Sequence, residues 1–234
     1  MSKRAVILIP IYKESLNPNE QISLARCFSI LGHHPIVFVA PESLSFTYHE
    51  GRTTERFADS FFQSPKTYNH LLIDPAFYER FREYEFMLIY QLDAYVFSDQ
   101  LEYWCAQNFD YMGAPKLKLR HYQNPRHVDI PYIHRVLFNG GFSLRKIKPI
   151  IRFLKIYHAL LPKWVANEDC MFSVYERRAL PLRWMLRLPT WQQGLKFAIE
   201  QNPHLGFKLN GDSLPFGCHA WEKYNPKFWQ TYLT

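Results

Sequence analysis

Asp93 follows the apolar run EFMLIY (residues 85–90) by three positions. A carboxylate at the C-terminal end of a buried strand faces the crevice where open α/β sheets place their ligands. Hard divalent cations take such oxygens, and a bound cation can bridge to a diphosphate. A turn or capping role is the plain alternative for a single Asp. The stretch Val136 to Leu144 contains Asn139, Gly140 and Gly141. Glycines there let a backbone approach a ligand closely, or simply make a bulge. Glu168 and Asp169 follow Asn167 and open a helix. Acids in a first turn complement the helix dipole, and one of the pair could also serve as a general base toward a hydroxyl. His219 stands in Gly217-Cys218-His219-Ala220-Trp221. Its imidazole either makes a structural hydrogen bond or completes a metal site begun by Asp93.

These groups need a scaffold. Val6 to Ile11 reads as a buried central strand. Asn19 is positioned to cap a helix carrying Ile22, Leu24, Ala25, Phe28 and Leu31, with Gly32 as its stop. Pro35 to Ala40 is a second buried strand, so the order strand–helix–strand implies a parallel pair. Residues 41–64 have weak periodicity and read as loop with short helix. Asp74-Pro75 starts a helix with Phe77, Phe81 and Tyr84 toward the core. Asp99 and Glu102 resemble a capping box for a helix with Leu101, Trp104 and Cys105. Tyr111 to Pro115 is a short strand, and residues 116–134 read as a polar, basic loop. A long helix carries Ile147, Ile151, Leu154 and Leu161.

The chain has 234 residues, 47% hydrophobic and 21% charged, with a formal charge of +7. These values indicate a folded globular chain and an affinity for anionic partners. Cysteines at 27, 105, 170 and 218 are widely spaced, which argues against a zinc knuckle or disulfide scaffold and suits a cytoplasmic protein. The start MSKRAVILIPIYKE is too short and too proline-interrupted for a signal peptide. Residues 175–198 place Arg177, Arg178, Arg183, Arg187 and Lys196 among Trp184, Met185, Leu186, Leu188 and Trp191. That pattern suits peripheral contact with the inner face of an anionic membrane. A core segment with a solvated arginine face is an equal reading.

Several stretches together resemble a known family. They are Gln91 to Phe97, Gly113-Ala114-Pro115, Asn139 to Arg145, Asn167-Glu168-Asp169 and Leu214 to Trp221. In this order they resemble DUF5672, a family regarded as similar to GT-A glycosyltransferases. The resemblance implies one α/β, Rossmann-related GT-A-like domain over residues 1–234, with a mostly parallel central sheet flanked by helices. Residues 1–115 would mainly bind the nucleotide sugar, and residues 116–234 would mainly supply the acceptor side and the base. It implies donor contacts from Pro10, Tyr12 and Glu14 after the first strand, and from Lys66 and Asn69. Gln91-Leu92-Asp93 matches the DxD motif with Gln in place of the first acid. Asp93 and His219 would then hold Mn²⁺ or Mg²⁺, Asn139, Gly140 and Gly141 would approach the ligand, and Asp169 or Glu168 would be the base.

The expected function is therefore transfer of a sugar, from a UDP-sugar by preference, to a hydroxyl of a glycan or lipid-linked glycan such as a bacterial surface polysaccharide. Nucleic acid is not an expected partner. Two rivals stand beside this reading. A metal-dependent nuclease or phosphodiesterase would use Asp93, Glu168, Asp169 and His219 together. An inactive sugar-nucleotide-binding module would account for Gln91.

Overall fold

The computed structural model describes residues 3–116, 137–161, 164, 166–175, 182 and 184–233. The runs of apolar residues form a six-stranded sheet. Its strands are β1 (Lys3–Pro10), β2 (Ile36–Pro41), β3 (Thr53–Phe57), β4 (Tyr84–Tyr90), β6 (Tyr111–Pro115) and β7 (Phe138–Lys146), in the order β3-β2-β1-β4-β7-β6. β1 to β4 are parallel, and β7 runs antiparallel to both β4 and β6. Five strands therefore share one direction, as the mostly parallel expectation required.

Both faces of the central strands β1, β2 and β4 are covered, which is why these read as unbroken apolar runs rather than alternating ones. Ile7 and Ile9 of β1 point into one core with Phe38, Leu88 and Tyr90. Val6 and Leu8 point into the other with Val39, Met87 and Ile89. The first core is closed by α1 (Pro18–Leu31) and α4 (Leu101–Gln107). The second is closed by α2 (Pro65–Leu72), α3 (Pro75–Glu79) and α5 (Ile147–Leu160).

Local chemistry corrects some of the expected boundaries. Asn17, not Asn19, caps α1: its side chain accepts from the Glu20 N–H while Glu20 accepts from the Asn17 N–H. Asn19 instead donates to Glu222 at 2.6 Å. Asp99 accepts from the Leu101 N–H, but Gln100 occupies the cap position and Glu102 closes no box. Tyr84, expected on the helix after Asp74, begins β4. Leu161 lies just past the end of α5. The weakly periodic stretch 41–64 contains β3, a polar edge strand. The acids at 168–169 open only a three-residue turn, α6 (Glu168–Cys170), followed by a π-turn over Met171–Tyr175.

A second sheet joins β5 (Tyr95–Val96), β9 (Gly217–Cys218) and β8 (Ala198–Ile199). Its strands are two residues each, too short to announce themselves in the sequence. Three further helices, α7 (Trp191–Phe197), α8 (Pro203–Leu209) and α9 (Pro226–Gln230), pack around it. The loop expected over 116–134 falls outside the described residues except for Lys116. So do Arg177, Arg178 and Arg183 of the expected membrane segment. Within that segment Leu182 and Leu186 are buried core residues, whereas Trp184 is 59% exposed. None of the described helices is long and apolar enough to cross a membrane. The described cysteines are free thiols, and Cys27, Cys105 and Cys218 are buried.

Candidate active site

The strand order reverses between β1 and β4, and the chain leaves both at their C-terminal ends. Crevices for ligands form at such switch points. A cleft of about 500 Å³ opens there. Pro10 to Lys13 after β1, Gln91 to Asp93 after β4, and Phe62 to Pro65 with Tyr68 at the start of α2 line it. Glu20 and Glu222 bring further carboxylates, and Lys13 pairs with Glu20 at 2.6 Å. Tyr12 is 65% exposed and offers an aromatic face at the rim.

The small second sheet places further groups beside Gln91 and Asp93 of the cleft. Its strands adjoin Asp93, Glu200 and His219 in the sequence, so pairing β5, β9 and β8 brings the three together. The His219 N–H bonds to Ile199 O at 3.1 Å, and the Trp221 N–H to Asp93 O at 3.3 Å. His219 Nε2 then lies 3.1 Å from Asp93 Oδ1 and 3.3 Å from Gln91 Oε1, while its Nδ1 lies 3.5 Å from Glu200 Oε1. Burial alone would favour a neutral ring, but hydrogen bonding and charge from Asp93 and Glu200 override it and bring His219 up to about 9. Burial likewise opposes ionisation of Asp93, and His219 reverses the balance, so its pKa falls below the usual carboxylate value.

Gly141 explains itself here. A Cβ on it would meet His219 Nε2 at 2.0 Å and Gln91 Oε1 at 2.6 Å. Only a glycine lets β7 run this close to the cluster. Asn139 fixes the backbone: its Oδ1 accepts from the Gly141 N–H at 2.7 Å, and its Nδ2 donates to Glu200 at 3.3 Å.

Gly140 faces the other acidic group. A Cβ on it would meet Glu168 Oε1 at 1.9 Å. Glu168 accepts from Arg145 Nη2 at 2.9 Å, and both side chains are buried. Arg145 also donates to Tyr78 OH at 2.8 Å, to Ser143 Oγ at 3.1 Å and to Gly140 O at 3.3 Å. Among the described residues, no cation forms an ion pair with the adjacent Asp169, and Arg145 acts on it only as its weakest influence. Its Oδ1 accepts the Cys170 N–H at 2.6 Å. Burial first, and the Glu168 charge second, push its pKa up to about 6. Asn69 Oδ1 accepts from the Glu168 N–H at 3.1 Å, tying α2 to this turn.

The expected residues therefore divide. Pro10, Tyr12, Gln91 and Asp93 line the cleft; His219 contacts Gln91 and Asp93 beside Gly141, and it, Gly140, Gly141, Glu168 and Asp169 lie outside the lining. Lys66 and Glu14 are exposed and outside the lining, and Asn69 and Asn139 are engaged in positioning the two acidic clusters. Glu200, Arg145 and Tyr68 were not singled out by sequence, or only within a longer motif. Arg145 sits inside the apolar strand FNGGFSLRK, and that placement of a charge is the signal that could have marked it.

The inner cluster groups oxygen and nitrogen donors of the kinds that divalent cations take. Asp93 Oδ1 is buried and paired with His219 Nε2 at 3.1 Å. Beside it stand an amide oxygen and an imidazole nitrogen, with Glu200 placed behind the ring as the outer carboxylate that metal-bound histidines commonly have. Among the described residues, a tighter three-residue set lies elsewhere, at His33, His34 and Asp99.

A family model described as "Protein of unknown function (DUF5672)" matches residues 51–219, well over half of the chain. The chain belongs to the DUF5672 family. The fold of this DUF5672 protein is that of GT-A glycosyltransferases. It superimposes on mouse xyloside xylosyltransferase 1 with a TM-score of 0.57 at 13% identity, covering 92% of this chain and 97% of that one. It superimposes on the galactosyltransferase LgtC, solved with donor and acceptor sugar analogues, with a TM-score of 0.53 at 10% identity, covering 92% and 86%. WbbM, a bifunctional glycosyltransferase, gives 0.50 at 12% identity, covering 96% of this chain and 47% of that one. No curated protein matches the DUF5672 sequence.

Proposed function

We propose that this chain transfers a sugar from a nucleotide-sugar donor to a hydroxyl acceptor, with Mn²⁺ or Mg²⁺ held at Gln91, Asp93 and His219. The observation that carries the reading is the convergence of those three side chains at a switch-point cleft, on a fold shared with glycosyltransferases. LgtC was solved with donor and acceptor sugar analogues, which supports the same two ligand classes here. A cation in this place would neutralise charge on a departing diphosphate.

The rest of the chemistry falls to side chains of the chain. Tyr12, Tyr68 and Phe62 offer aromatic faces to the donor in the cleft. Asp169 accepts the proton of the acceptor hydroxyl. The freed oxygen attacks the anomeric carbon, the bond from that carbon to the diphosphate breaks, and the nucleoside diphosphate leaves with the electron pair. Asp169 suits this better than Glu168, because a base must exchange protons near neutral pH and Glu168 is committed to Arg145. Arg145, Asn69 and Asn139 position the acids without touching substrate. A bacterial surface glycan, free or lipid-linked, remains the proposed acceptor class, and the whole chain is proposed to act as one domain.

A thermal-shift panel tests the donor site. UDP with Mn²⁺ is expected to raise Tm, because a ligand that binds only the native state stabilises it by mass action. UDP without metal is expected to shift it far less. Equal shifts with and without metal would overturn the metal's place in the site.

A further inference from the structure

A second cluster of metal-ligating groups lies at the opposite end of the sheet from the cleft. α1 ends at Leu31, and the chain turns through His33 and His34 into the N-terminal end of β2. The His34 N–H bonds back to Leu31 O at 3.0 Å, which fixes this turn. Asp99 approaches from the segment between β5 and α4. Its Oδ1 accepts the Leu101 N–H at 3.0 Å, so the carboxylate is held in one orientation. The other oxygen, Oδ2, lies 2.9 Å from His33 Nε2 and 3.0 Å from His34 Nε2. The imidazole centroids are 4.2 Å apart. All three ligand atoms lie within 4.8 Å of one another.

Zinc takes nitrogen and carboxylate oxygen at about 2.0–2.1 Å, so tetrahedral ligand atoms stand about 3.3 Å apart. The two distances from Asp99 Oδ2 to the imidazole nitrogens need to lengthen by only a few tenths of an ångström to reach that spacing, and the nitrogens already lie within 4.8 Å of each other. Two imidazoles with one carboxylate select zinc, cobalt, nickel or copper over magnesium and calcium. The His34 side chain is 10% exposed and gives a fixed wall, whereas His33 is 64% exposed and leaves a side open to solvent.

We propose that His33, His34 and Asp99 form a three-ligand site for a divalent transition metal of the zinc class, with water completing the coordination. The bound metal joins the end of α1 to the segment that leads from the small sheet into α4. It is separate from the cleft and does not depend on the transferase reading.

Zinc titration of untagged, chelator-treated full-length protein tests this, with calorimetry for affinity and Co²⁺ absorption for the nitrogen and oxygen ligand set. Wild type is expected to bind Zn²⁺ here in the presence of excess Mg²⁺, with a higher Tm. His33→Ala removes an exposed side chain, and Asp99→Asn keeps the acceptor for the Leu101 N–H, so both are expected to fold. Each is expected to lose at least about ten-fold in zinc affinity and the Co²⁺ spectrum. Asp93→Asn is expected to retain both. Wild-type affinity in His33→Ala and Asp99→Asn would overturn the proposal, as would absence of zinc binding in wild type or its loss only in Asp93→Asn.

Discussion

Glu168→Gln removes one charge from a buried pair and leaves Arg145 behind. The Arg145 side chain is fully buried and that of Glu168 only 7% exposed, with 2.9 Å between them. Breaking such a pair on one side costs about 3–5 kcal/mol, because the remaining charge is uncompensated. Arg145 keeps three neutral acceptors, Tyr78 OH, Ser143 Oγ and Gly140 O. The cost should therefore fall near the lower end, about 3 kcal/mol. For a chain of this length that lowers Tm by roughly 6–12 °C. Asp169→Asn should act oppositely. The amide oxygen still accepts the Cys170 N–H, and a carboxylate strained by burial and by Glu168 is gone, so Tm should hold or rise. Thermal and urea unfolding of the three proteins at pH 7.5, followed by circular dichroism, read both effects. If Glu168→Gln melts with wild type, or Asp169→Asn is the more destabilised, the division of roles between these acids is wrong.

Asp169 also sets a pH dependence. Its folded pKa stands at about 6 against a reference of 3.8, so the folded state binds the extra proton and stability falls as pH rises from about 4 to 6. Denaturation across that window should show the fall in wild type and lack it in Asp169→Asn. Asp169→Asn should also lower kcat by about 10²–10⁴-fold with donor affinity kept, measured by steady-state transfer. Gly141→Ala should lower kcat/KM by about 100-fold, because a Cβ displaces His219 and Gln91 by an ångström or more. Gly140→Ala should instead appear mainly as lost stability in urea unfolding, since its Cβ strikes the Glu168 carboxylate.

The sequence carried the frame of the site better than its interior. β1, β2 and β4 were legible because a sheet covered on both faces demands unbroken apolar runs. Asp93 was legible because it stands just past one of them. β3 was not, since an edge strand reading TTERF has no apolar run to show. The strands β5, β8 and β9 have two residues each and exist only through pairing between separate segments, Tyr95 with Cys218 and Ile199 with Cys218. Glu200 owes its place to that pairing, so nothing local marked it. Gly140 and Gly141 looked alike in sequence, yet each accommodates a different acidic cluster. Adjacent Glu168 and Asp169 were likewise indistinguishable until Arg145, buried in β7, was seen to reach only one of them.

Release of nucleoside diphosphate from a panel of UDP-sugars, with and without Mn²⁺, tests the central claim most directly when run on wild type and Asp93→Asn. The account predicts metal-dependent release by wild type with at least one donor, and loss of most of it in Asp93→Asn while the fold is retained. Full Mn²⁺-dependent turnover in Asp93→Asn, or no turnover and no nucleoside diphosphate binding in wild type, would contradict it.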